Sequence, residues 1–494
     1  MERLPALPTL MGKTPFLRAC IGLLLSILPA SSHAAGRAPE NTQPVPAVSL
    51  WMPAFFSDHM VLQRQRPLPL WGRATPGATV SITLAGNVQT TQAGAKGQWR
   101  VTFPPLEAGG PHEITVTSGT DRKILRDVLV GEVWVASGQS NMRWSFCPGH
   151  EVTGGEEELA NADAPRIRFF DPPTQNGVQG QDDLLSEWKL CNRETLLAGG
   201  FRGNPPPPSA VAYFFARKLE KDLGVPVGIV SAAVGNSRIG FWKPESALGK
   251  GMIQPLVPYA IRGWIWYQGE SNLMNGETPE YGAKMVDHIE TWRRVWGQGD
   301  FPFYFVQLPP FLYSGVQKPN LTFDSKTLPQ FREAQATALR LPHTGMAVIT
   351  DLVDPDKLRD IHPRHKKEVG QRLARLALAR TYALPHTVDS GPTFHSAKVE
   401  GTAIRVHFTH AEGGLQTRNG RAPDWFEIAG ADGVFQAAEA RIEGESVLVL
   451  SPQVPKPVSV RLGWDETAQP NLMNQEGLPA GSFRANAPAK DQHP

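Results

Sequence analysis

"VWVASGQSNMRW", Val133 to Trp144, decides how the middle of this chain is read. An apolar run stops at Gly138, and Gln139, Ser140 and Asn141 follow without a spacer. A parallel strand covered on both faces reads as such an uninterrupted run. In sheets of that kind ligands gather beyond the carboxyl ends of the strands. Ser140 is therefore placed where a reacting group would be presented. The other reading is ordinary turn chemistry, which Gly, Ser and Asn also dominate.

The pattern recurs downstream. "VPVGIVSA", "RGWIWYQ", "FPFYFVQLP" and "GMAVITDL" are apolar, strand-sized runs. Between and after them lie "SAVAYFFARKLEKDLG", "EYGAKMVDHIETWRRVWG", "QFREAQATALRL" and "KKEVGQRLARLALARTYA". In the second of these, Tyr281, Met285, Ile289 and Trp292 recur at helical spacing. Residues 127–383 thus predict an α/β domain with a parallel sheet between two helical layers. Before it, residues 50–126 carry short runs such as "TVSITLAG" and "GQWRVTF" between turn residues, the pattern of a small β-sandwich. After it, residues 384–485 return to strands ("AIRVHFTH", "SVLVLSP", "VSVRLGW"), followed by a polar tail over 486–494.

Bulk composition sets the outer limits. At 494 residues, with 41% hydrophobic and 19% charged residues, the chain is globular and long enough for two or three domains. A formal net charge of +2 gives no basis for nucleic acid or an anionic membrane as partner. Arg3, Lys13 and Arg18 precede the apolar "ACIGLLLSILPA", and small residues surround a cut after Ala34. That is the form of an export signal over 1–34, with a linker over 35–49. A periplasmic or secreted protein is expected. No later apolar run reaches the ~20 residues of a membrane span. Cys147 and Cys191 would remain after cleavage, either paired or as two separate buried thiols.

Chemistry concentrates at four strand ends. A serine nucleophile needs a base, oxyanion donors and exposure at a strand-to-helix turn. After "SAAV", Gly235 lets the backbone approach a ligand and could aim its N–H at an oxyanion, or it serves a tight turn. After "WIWY", Gln268, Glu270 and Asn272 offer two amides and a carboxylate. After "GMAVITDL", His362 stands in a loop just before a helix, close to Asp360 and followed by Pro363. An imidazole suits a base that later acts as acid. His362 and His365 lack a third ligand, so no metal is expected, and no organic cofactor either. Trp144, Trp242 and Trp266 lie near these motifs, as a sugar-stacking surface or as core.

"GEVWVASGQSNM", "WIWYQGESN" and "DIHPRHKKEVGQRLA", in this order, resemble the block motifs of the sialate O-acetylesterase family, a branch of the SGNH hydrolases that removes acetyl esters from sugars. The resemblance runs from about residue 50 to 485, and "NLMNQEGLPAGSFRAN" is similar to the family's C-terminal pattern. It implies an α/β fold, an SGNH-type doubly wound, flavodoxin-like parallel sheet flanked by two small β-sandwich-like domains. It implies a serine esterase acting on an O-acetylated carbohydrate through an acetyl-enzyme. Ser140 matches the nucleophile and His362 the base. The N–H groups of Ser140 and Gly235, with the Gln268 side chain, match oxyanion donors. Asp360 is the implied orienting acid, although it precedes the histidine by two residues rather than three; Asp354, Asp356 or a backbone carbonyl are the alternatives. Gln139, Asn141, Asn236, Glu270 and Asn272 are expected to bind substrate.

The second block departs from the family. Val234, Gly235, Asn236 and Ser237 stand where relatives read Trp-Gly-Gly-Thr, and the following glutamate is missing. Acetylated xylan or xyloglucan therefore stands beside sialate as substrate. Two other readings are a carbohydrate-binding protein without catalysis and a lipase or peptidase using the same serine chemistry. The sequence shows no long apolar lid for the latter.

Overall fold

A computed structural model describes residues 49–174, 184, 186–199 and 207–487. The export segment, nearly all of the linker and most of the polar tail lie outside the described residues.

The central sheet has seven strands: β1 (Asp121–Gly138), β2 (Ala164–Phe170), β3 (Trp188–Cys191), β4 (Val227–Ala233), β5 (Gly263–Tyr267), β6 (Phe303–Val306) and β7 (Thr344–Ala347). Their spatial order is β7-β6-β5-β1-β4-β2-β3. All pairings are parallel except the last, where β3 closes the edge antiparallel to β2. Within the sheet, β1, β4, β5, β6 and β7 follow the flavodoxin-like order, β4-β1-β5-β6-β7, and the β2/β3 pair extends the sheet beyond β4. The apolar runs of β1, β4 and β5 mark the middle of the sheet, where both faces are covered. β2 was not singled out in the sequence because Arg166 and Arg168 interrupt its run. Arg168 is nevertheless buried, with Nη2 2.9 Å from Asp127 Oδ2.

Helices cover both faces. In parallel register Trp134 lies beside Gly263, so it faces the side opposite Trp264. Trp134 packs edge-on against Phe215 of α2 (Ala210–Leu223). Trp264 and Trp266 meet Trp292 and His288 of α4 (Thr278–Trp296). On the α2 side lies α6 (Lys366–Arg380), brought close by Gly370: a β-carbon there would fall 2.5 Å from Val211 O. On the α4 side lies α5 (Thr327–Ala336). Ser209 caps α2 by accepting the Ala212 N–H, and Gly224 and Gly297, both at positive φ, end α2 and α4.

β1 passes through the boundary drawn at residue 126. Its first half pairs antiparallel with Gly109–Ser118, which continues to Thr79–Leu84 and Asn87–Gln92. The N-terminal strands therefore extend the central sheet to eleven strands and share its core. Buried Glu132 clamps the joint, receiving Arg64 Nε at 2.5 Å and Arg262 Nε at 2.7 Å. The C-terminal residues form two four-stranded antiparallel sheets around a separate core containing Ile404, Val447, Ile428 and Val460. The whole is a mixed α/β fold, one large mixed sheet with smaller sheets around it. Cys147 and Cys191 are both buried and unpaired.

Gly138 fixes the exit from β1. Its φ is +140°, and a β-carbon would lie 2.1 Å from Tyr267 O of the neighbouring strand. Gly138→Ala is expected to lower the unfolding free energy by about 2 kcal/mol, through backbone strain and overpacking together. A urea titration checks this; an unchanged midpoint would mean that the turn has room to relax.

Candidate active site

Neighbouring strands β4, β1 and β5 deliver Gly235, Ser140 and Gln268 to one edge of the sheet, and the loop after β7 adds His362. Gln139 is extended and its N–H donates to Tyr267 O at 3.0 Å, so α1 (Ser140–Arg143) begins directly at the sheet edge. His362 Nε2 lies 2.9 Å from Ser140 Oγ. A β-carbon on Gly235 would stand 3.8 Å from that of Ser140, which makes the two backbones neighbours. Among the described residues, neither the Ser140 nor the Gly235 N–H donates to another group. Both remain available to a developing anion.

Asp360 is not hydrogen-bonded to the imidazole. Its Oδ1 is 3.9 Å from His362 Nδ1, beyond hydrogen-bond reach, and accepts the backbone N–H of His362 at 2.9 Å instead. With only one residue between them, the carboxylate folds back onto the main chain. Asp354 is engaged elsewhere, by Arg364 Nε at 2.9 Å and His365 Nε2 at 3.1 Å. Trp144 lies flat on the His362 ring, with centroids 4.4 Å apart. Burial pushes the His362 imidazole down to about 4, helped by the Lys366 ammonium and opposed by Asp360.

Most residues expected to bind substrate form the walls of the site. Gln139, Asn141, Gln268, Glu270 and Asn272 are at most 2% exposed. Gln139 Oε1 accepts from Ser271 N at 3.2 Å and Gln268 Nε2 at 3.2 Å, tying the β5 loop to the serine turn. Gln268 Nε2 also donates to Asn272 Oδ1 at 2.6 Å and Ser237 O at 3.1 Å. In this arrangement the two amide protons of Gln268 face three protein acceptors, so the side chain supports the loop. Asn272 further accepts from Ile239 N and donates to Glu277, which makes it structural as well. Only Asn236 is exposed, at φ +58° beside Gly235. Trp242 and Trp266 are core residues.

Behind the serine lies a buried polar chain that the sequence reading missed. Asn141 Nδ2 donates to Glu270 Oε1 at 2.6 Å, and Lys366 Nζ donates to Asn141 Oδ1 at 2.6 Å. Burial pushes Lys366 down to about 7, opposed by Glu270; burial raises the Glu270 carboxyl, opposed by the Asn141 amide. A trace of Lys366 was present in the sequence. It shares the spacing of Val369, Gly370 and Leu373, the inward face of α6.

A groove of about 220 Å³ has Trp144, Glu151, Asp354, Asp360 and His362 in its walls. A cleft of about 490 Å³ adjoins it through Glu151, Asp354 and Arg364. No group of three His, Cys, Asp or Glu side chains among the described residues is arranged to hold a metal ion. No described helix is long and apolar enough to cross a membrane.

Residues 130–379 match the family model of carbohydrate esterases described as sialic acid-specific acetylesterases. Sialate O-acetylesterase of Homo sapiens is 29% identical over 427 residues, covering 75% of this chain and 76% of that protein. The Mus musculus enzyme is 28% identical over 448 residues, covering 75% and 79%. The crystal structure of XAC1771, a novel carbohydrate acetylesterase from Xanthomonas citri, is 36% identical, with a TM-score of 0.80 over 88% of this chain and 99% of that one. This chain is a carboxylic ester hydrolase and belongs to the sialic acid-specific acetylesterase family of carbohydrate esterases.

Proposed function

We propose that this carbohydrate acetylesterase is an SGNH-type serine enzyme that works through an acetyl-enzyme on Ser140. The observation that carries the reading is the 2.9 Å contact of His362 Nε2 with Ser140 Oγ at the end of β1. His362 takes the hydroxyl proton as Ser140 Oγ attacks the acetyl carbonyl. The oxyanion is received by the N–H groups of Ser140 and Gly235. His362 returns the proton to the departing sugar oxygen; water then repeats the steps and releases acetate. Asn236, exposed beside Gly235, is the side chain offered to the sugar. We also read residues 1–34 as an export signal, which would place the enzyme in the periplasm or outside the cell.

A second substrate reading has its own support. The departure of the second block, Val234 to Ser237, from the family pattern supports an acetylated plant polysaccharide as substrate; the groove at His362 carries both carboxylates (Glu151, Asp354, Asp360) and cations (Lys357, Arg364). Release of acetate from acetylated xylan oligomers but not from 9-O-acetylated sialic acid would select it.

The base must be neutral to accept a proton. Because burial holds His362 down to about 4, kcat/KM should stay level from neutrality into mild acid and fall as pH drops through about 4. Initial rates on 4-nitrophenyl acetate between pH 3.5 and 8, buffer hydrolysis subtracted, test this. An acid limb at the ordinary imidazole position, about 6.5, would contradict it.

A further inference from the structure

We propose that Trp144 is the positioning residue of the catalytic imidazole, held in a His150–Trp144–His362 stack that does the orienting a carboxylate does in Ser-His-Asp hydrolases. The inference rests on the Ser140–His362 reading above.

The χ2 torsion of histidine is broad, so a catalytic imidazole turns unless something fixes it. A carboxylate on Nδ1 is the usual device. Here Asp360 Oδ1 stands 3.9 Å away and Asp354 is held by Arg364 and His365. Among the described residues no group hydrogen-bonds His362 Nδ1. The imidazole instead lies against the indole of Trp144, with centroids 4.4 Å apart and planes 22° from parallel. A flat neighbour at that distance blocks ring rotation and leaves Nε2 pointing at Ser140.

Trp144 is itself held in place. Its indole N–H donates to Glu151 O at 2.9 Å, and its main-chain carbonyl accepts the Ala210 N–H at 2.7 Å. His150 also stacks on the indole, with centroids 4.0 Å apart and planes at 19°. The His150 ring is fixed in turn, since Nδ1 accepts the Ser145 N–H at 3.1 Å.

Trp144→Leu keeps apolar bulk and removes the flat face, while Trp144→Phe keeps an aromatic one. On 4-nitrophenyl acetate, Trp144→Leu should lower kcat about 30- to 100-fold with KM within about threefold, the size of effect that misplacing a reacting group produces. Trp144→Phe should recover most of that loss, and Asp360→Asn should cost less than Trp144→Leu. The NMR signal of the His362 Hε1 proton, identified by its loss in His362→Gln, should be shifted upfield by the indole. It should move downfield in Trp144→Leu. Wild-type kcat in Trp144→Leu, or a larger loss in Asp360→Asn, overturns the proposal. Full activity in Ser140→Ala or His362→Gln would instead remove the Ser-His reading itself, so the two failures are distinguishable.

Discussion

Ser140→Ala is expected to lower acetate release by about four to six orders of magnitude, the range seen when the nucleophile of a serine hydrolase is removed. The geometry explains why so little should remain. Ser140 Oγ lies within hydrogen-bond reach of His362 Nε2, at 2.9 Å. The Ser140 N–H survives the substitution, so the variant retains part of the oxyanion site and should still bind substrate. Folding is not expected to suffer, because Ser140 Oγ makes no other hydrogen bond among the described residues. The measurement is enzymatic detection of acetate from two substrates side by side, 9-O-acetylated sialic acid and acetylated xylan oligomers, with circular dichroism on both proteins. A Ser140→Ala variant as active as wild type would remove the covalent mechanism. Serine-dependent release from only one substrate would settle the sugar class.

What the sequence revealed, and what it hid, follows from the range of each interaction. The apolar runs of β1, β4 and β5 were legible because a strand buried on both faces needs no alternation. β2 was hidden by Arg166, which is exposed, and Arg168, whose burial depends on Asp127, 41 residues earlier in the chain. Ser140, Gly235 and His362 were legible because strand ends in such sheets carry the chemistry. The inward turn of Gln268 was not. It depends on Gln139, Ser237 and Tyr281, which come from three other parts of the chain. The same holds for Asp360: the spacing showed it near the histidine, but not that its carboxylate would fold back onto the main chain. Trp144 could be read as platform or core. Its stacking with His150 and His362 requires the turn that returns His150 to it and the loop that brings His362.

Lys366→Met should lower the free energy of unfolding by about 3 kcal/mol, the lower end of the cost of removing one partner from a buried charged arrangement. The methionine fills most of the lysine volume, so packing loss is small and the effect is electrostatic. Lys366 is fully buried, and at pH 6, below the value of about 7 to which burial pushes it, the ammonium is charged. It donates to Asn141 Oδ1 at 2.6 Å, and Asn141 donates onward to Glu270 Oε1 at 2.6 Å. Removing the ammonium takes the donor from Asn141 and the nearby cation from Glu270, whose Oε2 is buried without a hydrogen-bond partner of its own. A charge-assisted hydrogen bond of this kind contributes about 1.5–3 kcal/mol, and the stranded carboxyl adds to the loss. Lys366→Met combined with Glu270→Gln replaces both the ammonium and the carboxyl and should recover part of the stability. Urea unfolding at pH 6 followed by tryptophan fluorescence measures the wild type, Lys366→Met, Glu270→Gln and the double variant. If the double variant is less stable than Lys366→Met by the full cost of Glu270→Gln alone, the two residues are not coupled through Asn141. Coupling of 1 kcal/mol or more would identify the chain behind Ser140 as one cooperative unit anchoring the turn that presents Ser140.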